Sequence, residues 1–366
     1  MKAKLDRRNA LKALGVASIS VAAAHIGKTT AAMAAPAVAK GTVLTVSTWG
    51  GITQDGIKAH VAPEFERTTG ATIAYDIGGL GARFNKLLAQ RASPSADVFF
   101  STDESIVAGR KAGILTDASG QNIPNYSDVA DWAKTLKGNG DALPGVPYTL
   151  IAYILGSNPT QTKQPVTAWA DMWRPEFAGK LAFASPVHSM MPAFVILAAE
   201  MTGGSAAHPD SGFAKLAELR PAKLTVFWTD WAPLDKSGDV TLGTEFDYYL
   251  EAMKDQKYPI EPVVPKEKGF GAPEYVSIVA GTKNKELAEE FLNQMISPQA
   301  QRAFAVETYQ GPVNIKVNLT SAEQARCSCG AKVEELRFFD PQLFAENRPV
   351  WTERLNTEVV PKWGTR

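Results

Sequence analysis

Short apolar segments alternate with segments of helical periodicity along the first third of the chain. Strands are predicted at 43–48, 71–77 and 95–102, where β-branched and aromatic residues lie between glycines or polar turn residues. Helices are predicted after each strand, at 54–68, 82–91 and 103–112, and Asp103-Glu104-Ser105 is expected to cap the last one. Strands that alternate with helices form mostly parallel sheets with helices on both faces. The pattern therefore predicts an α/β fold.

Two further segments indicate that the chain crosses between two lobes. The continuous apolar segment 147–155 is typical of a buried strand that leaves the first lobe. Residues 275–280 form a second such strand, followed by a helix with Asn284 as its N-cap and another helix that starts at Ser297-Pro298. We therefore predict two lobes joined by hinge strands, with lobe 1 at 40–149 and 275–318 and lobe 2 at 150–274 and 319–366.

Residues 1–39 have the features of an export signal rather than of a folded domain. Arg7 and Arg8 precede a weakly apolar stretch at 13–26, and small residues suited to signal-peptidase cleavage follow. The apolar stretch is too short and too rich in alanine for a stable membrane span. We therefore expect a twin-arginine signal peptide and a periplasmic mature protein.

The charge of the mature chain argues against a nucleic-acid partner. The whole chain has 38 basic and 38 acidic residues, and residues 1–39 hold six of the basic and one of the acidic residues. The remainder therefore has 32 basic and 37 acidic residues. It contains no basic cluster with interleaved aromatic residues. It also contains no later segment suited to cross a membrane, so we expect a soluble mature protein.

The two cysteines, Cys327 and Cys329, are separated by one serine. An oxidising compartment would permit a disulfide between them. A metal site would need further ligands, and the histidines lie far away in sequence. We interpret the pair as structural or incidental rather than functional.

Two segments resemble one family of transport proteins. Residues 274–305 (EYVSIVAGTKNKELAEEFLNQMISPQAQRAFA) and 166–183 (VTAWADMWRPEFAGKLAF) are similar to the spermidine/putrescine-binding branch of the periplasmic solute-binding proteins. In the second segment, Trp169 and Trp173 are expected to be core residues. The resemblance implies a two-lobed periplasmic-binding-protein-like fold, whose lobes close over a small-molecule solute and dock on the permease of an ABC importer. It also implies a monomer without a cofactor.

The resemblance further implies a site for an organic cation. Carboxylates neutralise ammonium groups, and aromatic faces hold cations and methylene stems. The hydroxyl of Thr229 precedes Asp230, and the family's amine-binding carboxylate corresponds to Glu274, just before the returning strand. The implied ligand-binding residues are Trp49, Asp103, Glu104, Thr229, Asp230, Phe246, Asp247, Tyr248, Glu274 and Tyr309.

Two departures from the family pattern bear on the ligand. The segment 185–189 has no carboxylate where the polyamine proteins have an acidic pair, and Ala272 replaces a tryptophan. A long polyamine would therefore lack a carboxylate for one of its ammonium groups. The expected ligand is therefore polyamine-like or a shorter, zwitterionic amine whose acid end meets Thr229, His188 and free amides.

Two other functions are less well supported by the sequence. Tyr248 and Tyr249 resemble the phenolate pair of periplasmic ferric-iron-binding proteins, and phenolates suit Fe(III). The histidine of that family corresponds to Gly51, however, and its glutamate corresponds to Thr102. An exported enzyme is not expected, because the sequence has no nucleophile elbow, zinc-ligand pair or nucleotide fingerprint.

Overall fold

The computed structural model describes residues 39–363 of the chain. The predicted signal peptide, 1–39, lies outside these residues except for Ala39. Within 39–363, no helix is both long and apolar enough to cross a membrane.

The described residues form thirteen strands and thirteen α-helices. The strands are β1 (Val43–Thr48), β2 (Thr72–Ile77), β3 (Val98–Thr102), β4 (Leu115–Thr116), β5 (Ala118–Ser119), β6 (Ala142–Leu143), β7 (Val146–Ser157), β8 (Leu181–Ala184), β9 (Pro221–Thr225), β10 (Leu242–Phe246), β11 (Glu261–Val263), β12 (Gly269–Val279) and β13 (Leu336–Arg337). The helices are α1 (Ile52–His60), α2 (Ala62–Thr69), α3 (Leu80–Ala89), α4 (Asp103–Lys111), α5 (Met191–Glu200), α6 (Asp210–Leu216), α7 (Ala232–Ser237), α8 (Asp247–Asp255), α9 (Lys285–Met295), α10 (Pro298–Thr308), α11 (Ser321–Gln324), α12 (Pro341–Arg354) and α13 (Val360–Trp363). A π-helical turn, Leu355–Val359, connects α12 to α13. Short 3₁₀ turns lie at Gly120–Asn122, Pro124–Asp128, Asp131–Ala133, Trp169–Trp173, Pro175–Phe177, Trp228–Asp230 and Gly330–Glu335.

One large sheet runs through both lobes. Its main path has the order β2-β1-β3-β12-β7-β10-β8-β9. At one end β1 pairs in parallel with β2 and β3, and at the other end β8 pairs in parallel with β9 and β10. The long strands β7 and β12 pair antiparallel with each other and join the two parallel parts. The predicted fold class, with parallel lobe sheets and hinge strands, is confirmed.

The hinge strands cross between two separate hydrophobic cores. On β7, Tyr148 belongs to the core under α2, α9 and α10, whereas Ile151 belongs to the core around α5 and α12. On β12, Ala272 belongs to the core around α5 and α12, and Val276 belongs to the core under α2, α9 and α10. The crossing points support our proposal that the lobes are 40–149 with 275–318, and 150–274 with 319–366.

The second core is built around aromatic side chains. Trp169 is fully buried, and its ring stacks on Phe270 with 4.6 Å between the centroids. Trp173 is partly buried, and its indole N–H donates to the carbonyl of Lys215 at 3.0 Å. The expectation that both tryptophans are core residues is confirmed.

The helix predicted at 54–68 is two helices, and the prediction of one was wrong. The break falls at Val61, and Pro63 lies in the first turn of α2. Proline lacks an amide donor and clashes with the preceding turn, so it is favoured in the first turn of a helix and disfavoured in the interior. Pro63 therefore explains the break between α1 and α2.

Two predicted helix caps are also corrected. The side chain of Thr102, not of Asp103, accepts from the amide of Ser105 at the start of α4. Asn284 occupies the N-cap position of α9 but makes no capping hydrogen bond. Its amide group donates to Asp97 at 3.1 Å instead. The cap of α10 by Ser297 is confirmed.

Candidate ligand-binding cleft

A cavity of about 510 Å³ lies between the lobes. The first lobe lines it with the loop after β1, the first turn of α3 and the start of α4. The second lobe contributes the loop before α5, the residues after β9 and the start of α8. Ile151, Ala272 and Glu274 line it from the hinge strands, and Arg348 lines it from α12. This size and this mixture of apolar and polar walls are typical of a small-molecule site.

Glu274 is a buried carboxylate on the hinge. It lies on β12 opposite Thr102 of β3 and Thr149 of β7. The register between β7 and β12 shifts immediately after Glu274, which makes Tyr148 the extra residue of a β-bulge. Bulges re-aim side chains, and the Tyr148 hydroxyl donates to Glu274 at 2.6 Å. Burial raises the pKa of Glu274 to about 7, against the opposing effects of this hydrogen bond and of the nearby charge of Arg83. The carboxylate therefore changes charge close to neutral pH.

Aromatic rings form a large part of the cavity wall. Trp49 lies on the first-lobe side, and Phe246, Tyr248 and Tyr249 lie on the second-lobe side. The rings of the two tyrosines are 4.1 Å apart between centroids. Aromatic faces beside a carboxylate suit the methylene stem and the ammonium group of an organic amine.

His188 contributes a neutral imidazole to the wall. Its ring packs on Tyr153 and Phe246, with centroid distances of 4.8 and 5.6 Å. Burial and the charge of Arg348 lower its pKa to about 3. Nδ1 accepts from the amide of Met190 at 3.1 Å, which places the ring proton on Nε2.

Arg83 holds the first-lobe edge of the cavity in place and was not predicted. Its guanidinium lies 4.9 Å from the ring centroid of Trp49. It donates to the carbonyls of Gly78, Ser47 and Phe100 at 2.8, 3.1 and 2.9 Å. One buried side chain therefore ties the glycine turn before α3 to the ends of β1 and β3. The sequence offers no signal for it beyond its place after a glycine-rich turn.

The amino-terminal turn of α3 faces the cavity without a side-chain cap. Gly79, Leu80, Gly81 and Ala82 all line the cavity, and Gly79 is the N-cap. The first amides of a helix have no acceptor within the helix. They favour an anionic or hydrogen-bond-accepting group, because the helix dipole is positive at this end.

Glu104, a predicted ligand-binding residue, lines the cavity but is paired with an arginine that was not predicted. Arg348, on α12, forms two hydrogen bonds to its carboxylate. Arg348 stands in no motif, and 244 positions separate the two residues. Only the packing of α12 against α4 brings them together, so no local sequence signal could have found the pair.

Two predicted acids lie outside the cavity wall because the protein itself uses their oxygens. Asp103 accepts from the hydroxyl of Thr135 at 3.0 Å, and burial raises its pKa to about 6. Asp247 accepts from the amide of Ala152 at 3.0 Å and from the hydroxyl of Ser328. Burial raises the pKa of Asp247 to about 6 as well. We do not retain either residue as a candidate ligand contact.

Ser328 is held between the two cysteines, which form a disulfide. The pairing that the sequence left open is thus present. Because Ser328 donates to Asp247, the disulfide lies beside the start of α8. This position agrees with a structural role.

Three other predicted residues also lie elsewhere. Thr229 and Asp230 belong to a 3₁₀ turn after β9, where Asp230 accepts from the amides of Val226 and Phe227 at 2.8 and 3.0 Å. Val226 and Phe227 line the cavity in their place. Tyr309 ends α10, and its hydroxyl donates to an acid on the far end of α8, Asp255. The geometry therefore leaves Trp49, Glu104, Phe246, Tyr248 and Glu274 as the predicted residues that meet in the cavity.

The iron alternative is less well supported by the surroundings of Tyr248 and Tyr249. Both line the cavity, but burial raises the pKa of Tyr249 to about 12 and that of Tyr248 further. Ferric binding needs the phenolate forms. Among residues 39–363, no group of three or more His, Cys, Asp and Glu side chains could hold a metal ion.

Comparison with known proteins gives a consistent result. The model of the bacterial extracellular solute-binding protein family matches residues 60–326. Spermidine/putrescine-binding periplasmic protein 1 of Haemophilus influenzae is 26% identical over 257 residues, which are 68% of this chain and 69% of that protein. The gamma-aminobutyric acid-binding protein of Pseudomonas aeruginosa is 24% identical over 339 residues, 89% of this chain and 93% of that protein.

The fold has close counterparts among solved structures. The crystal structure of an ABC transporter from Clostridium perfringens superposes with a TM-score of 0.73 and 25% identity, and covers 86% of this chain and 99% of that chain. Since the family match extends over well more than half of the sequence, the chain belongs to the bacterial extracellular solute-binding proteins, the substrate-binding subunits of ABC importers.

Proposed function

We propose that this protein captures a small amine-bearing solute in the interlobe cavity and delivers it to the permease of its importer. The observation that carries the proposal is Glu274. It is a buried carboxylate that lines the cavity, and its described hydrogen bond is the one from Tyr148. A buried carboxylate is costly unless a cation pairs with it, and a ligand ammonium would form the direct ion pair that the nearby charge of Arg83 does not provide.

The walls around Glu274 fit the rest of such a molecule. The ammonium would bind Glu274, and its methylene stem would lie against Trp49, Phe246 and Tyr248. The uncapped turn of α3 would receive an acceptor at the other end. The named ligands of the two relatives share an amine, and gamma-aminobutyric acid adds a carboxylate.

Delivery depends on lobe closure. A ligand shifts the lobes toward the closed form only by its extra affinity for that form. The Haemophilus relative is named as a periplasmic protein, which supports a periplasmic location. Export by the twin-arginine route stays a prediction.

The test is calorimetric titration of the purified protein with 4-aminobutyrate, putrescine and spermidine. Glu274→Gln keeps the shape of the side chain and removes its charge. A charge-assisted hydrogen bond is worth about 1.5–3 kcal/mol, so the affinity should fall about 10- to 100-fold. Tyr309→Phe is the matched control, because the lost hydroxyl lies outside the cavity and its removal should leave affinity unchanged. Equal affinity of the wild type and Glu274→Gln would refute the assignment.

The pH dependence of binding gives an independent measure of the same residue. Since the pKa of Glu274 is about 7, the wild-type affinity for an amine should rise between pH 6 and pH 8 as the carboxylate ionises. Glu274→Gln should lose this part of the rise. Binding of ferric citrate alone, with a phenolate-to-iron charge-transfer band, would instead assign the cavity to iron through Tyr248 and Tyr249.

A further inference from the structure

The cavity contains two carboxylates in very different electrostatic settings. Glu104 and Glu274 both line it, and both are more than nine-tenths buried. The other charged or basic side chains in its lining are Arg348 and His188, and the low pKa of His188 keeps that imidazole neutral. How Arg348 is shared between the two acids therefore decides how many cations the cavity can accept.

Arg348 is committed to Glu104. Its Nε and Nη2 atoms donate to the two carboxylate oxygens of Glu104 in a bidentate arrangement. Nη1 and Nη2 also donate to the carbonyls of His188 and Ser189, at 3.1 and 2.7 Å. These contacts fix the guanidinium against the second lobe, and a bidentate pair is the strongest arrangement of this kind. Both oxygens of Glu104 are thus occupied by the protein.

Glu274 has no comparable partner. Its hydrogen bond comes from the neutral hydroxyl of Tyr148, through Oε2. Arg83 is near enough to lower the pKa of Glu274 but makes its own hydrogen bonds to three backbone carbonyls. Within residues 39–363, Glu274 is therefore the cavity acid without a direct ion pair, and the charge of Arg83 offsets its own only in part.

We propose that Arg348 determines the substrate class by masking Glu104, so that the cavity accepts a solute with one amine and rejects di- and polyamines. The inference rests on the proposed function, in which Glu274 binds the amine. A second ammonium group would lose its hydration in the cavity without gaining a free carboxylate, and it would be repelled by Arg348. A neutral second end has no charge to compensate, and an anionic end would be compensated by the free amides of α3 and attracted by Arg348. Arg348 thus discriminates through an unfavourable contact with the wrong ligand.

The experiment compares two probes that share a four-carbon chain, 4-aminobutyrate and putrescine, by titration calorimetry at pH 8. The wild type should bind 4-aminobutyrate at least about tenfold more tightly than putrescine. Arg348→Met keeps the length of the side chain but unmasks Glu104, so the preference should move toward putrescine by about 10- to 100-fold. Arg348→Lys, which keeps a cation beside Glu104, should retain most of the wild-type preference.

Two further variants test the inference even if Arg348→Met does not fold stably. Glu104→Gln frees Arg348, so the preference for 4-aminobutyrate should increase rather than decrease. In the double variant Glu104→Gln/Arg348→Met, the gain in putrescine affinity should disappear, because there is no carboxylate to unmask. A preference that is unchanged in Arg348→Met and Glu104→Gln, or a putrescine gain that persists in the double variant, would overturn the inference.

The same titrations separate this inference from the proposed function. If the wild type binds 4-aminobutyrate through Glu274 but binds putrescine equally well, only the masking by Arg348 is wrong. If Glu274→Gln binds both amines as the wild type does, or neither amine binds the wild type, the amine site itself is wrong and the masking falls with it.

Discussion

Replacing Glu245 by glutamine should stabilise the protein increasingly as the pH rises. Glu245 lies on β10, beside the cavity residue Phe246, and is 1% exposed. Its oxygens accept from the Phe246 amide at 2.9 Å and from the indole of Trp231 at 3.4 Å. No basic side chain among residues 39–363 forms an ion pair with it, and burial raises its pKa from 4.5 to about 8. The folded protein therefore retains a proton that the unfolded chain releases.

The magnitude follows from the size of that shift. One pKa unit corresponds to about 1.4 kcal/mol of folding free energy. Because the folded-state pKa is raised, the stability that protonated Glu245 contributes is complete below pH 4.5 and is lost as the pH rises through about 8. Glutamine does not titrate. The free energy of unfolding of Glu245→Gln, relative to the wild type, should therefore increase by about 1.4 kcal/mol per pH unit, or roughly 4 kcal/mol between pH 5 and pH 8.

Urea denaturation of both proteins at pH 5, 6, 7 and 8 measures this difference. Other buried acids, such as Asp247 and Glu274, are present in both proteins and cancel in the comparison. The amide of glutamine would face the indole of Trp231 less favourably, but this loss is the same at every pH and leaves the slope intact. Glu353→Gln, at an exposed position on α12, serves as the control and should change stability by less than about 0.5 kcal/mol at each pH. A wild-type-to-variant difference that stays constant from pH 5 to pH 8 would refute the reasoning.

Two further predictions concern packing in the second lobe. Trp169→Ala should lower the free energy of unfolding by about 3–5 kcal/mol, because the fully buried indole and its stacking on Phe270 are lost; a loss below 1 kcal/mol in urea denaturation would contradict this. Gly243→Ala should cost about 1–3 kcal/mol, since the added Cβ would lie 2.7 Å from the ring of Trp231. Gly81→Ala is the matched control, because its Cβ would meet nothing within 4 Å and alanine is favourable inside a helix. Equal stabilities of the two alanine variants would show that the contact with Trp231 is unimportant.

Much of the fold follows from local pattern, and the exceptions have physical causes. The first predicted strand, 43–48, matches β1 residue for residue. By contrast, β12 begins at Gly269, six residues before the predicted start at 275. The glycines and proline at 269–273 have low strand propensity, but here the close approach of the chain favours them: a Cβ at Gly271 would lie 2.7 Å from the ring of Phe338. Tertiary packing overrides propensity where the sheet is buried on both faces.

The residues of the candidate site were predictable where they stand just after a strand. They were not predictable where the packing of distant segments brings them to the cavity. Trp49 directly follows β1 and Glu104 is the second residue after β3, so the β-α alternation places them at one edge of the sheet. Thr229 occupies the corresponding place in the family pattern, but the turn closed by Asp230 directs the chain so that Phe227 lines the cavity. Arg348 enters the cavity wall through α12, which carries no motif.

Because Glu274 lies on a hinge strand, its contact with an amine should contribute to binding affinity without driving the closure of the lobes. Glu274 lies on β12 and its partner Tyr148 on β7, at the points where the two hinge strands cross between the lobes. On the proposed function, the contact between the ammonium and Glu274 would exist in open and closed forms alike, and a contact that is equal in two states shifts neither. Closure must then be driven by groups that reach the ligand only when the lobes approach, such as Phe246 and Tyr248 of the second lobe. Removing the carboxylate should therefore weaken binding in both forms, whereas removing the Phe246 ring should weaken the ligand-induced closure more than the first encounter.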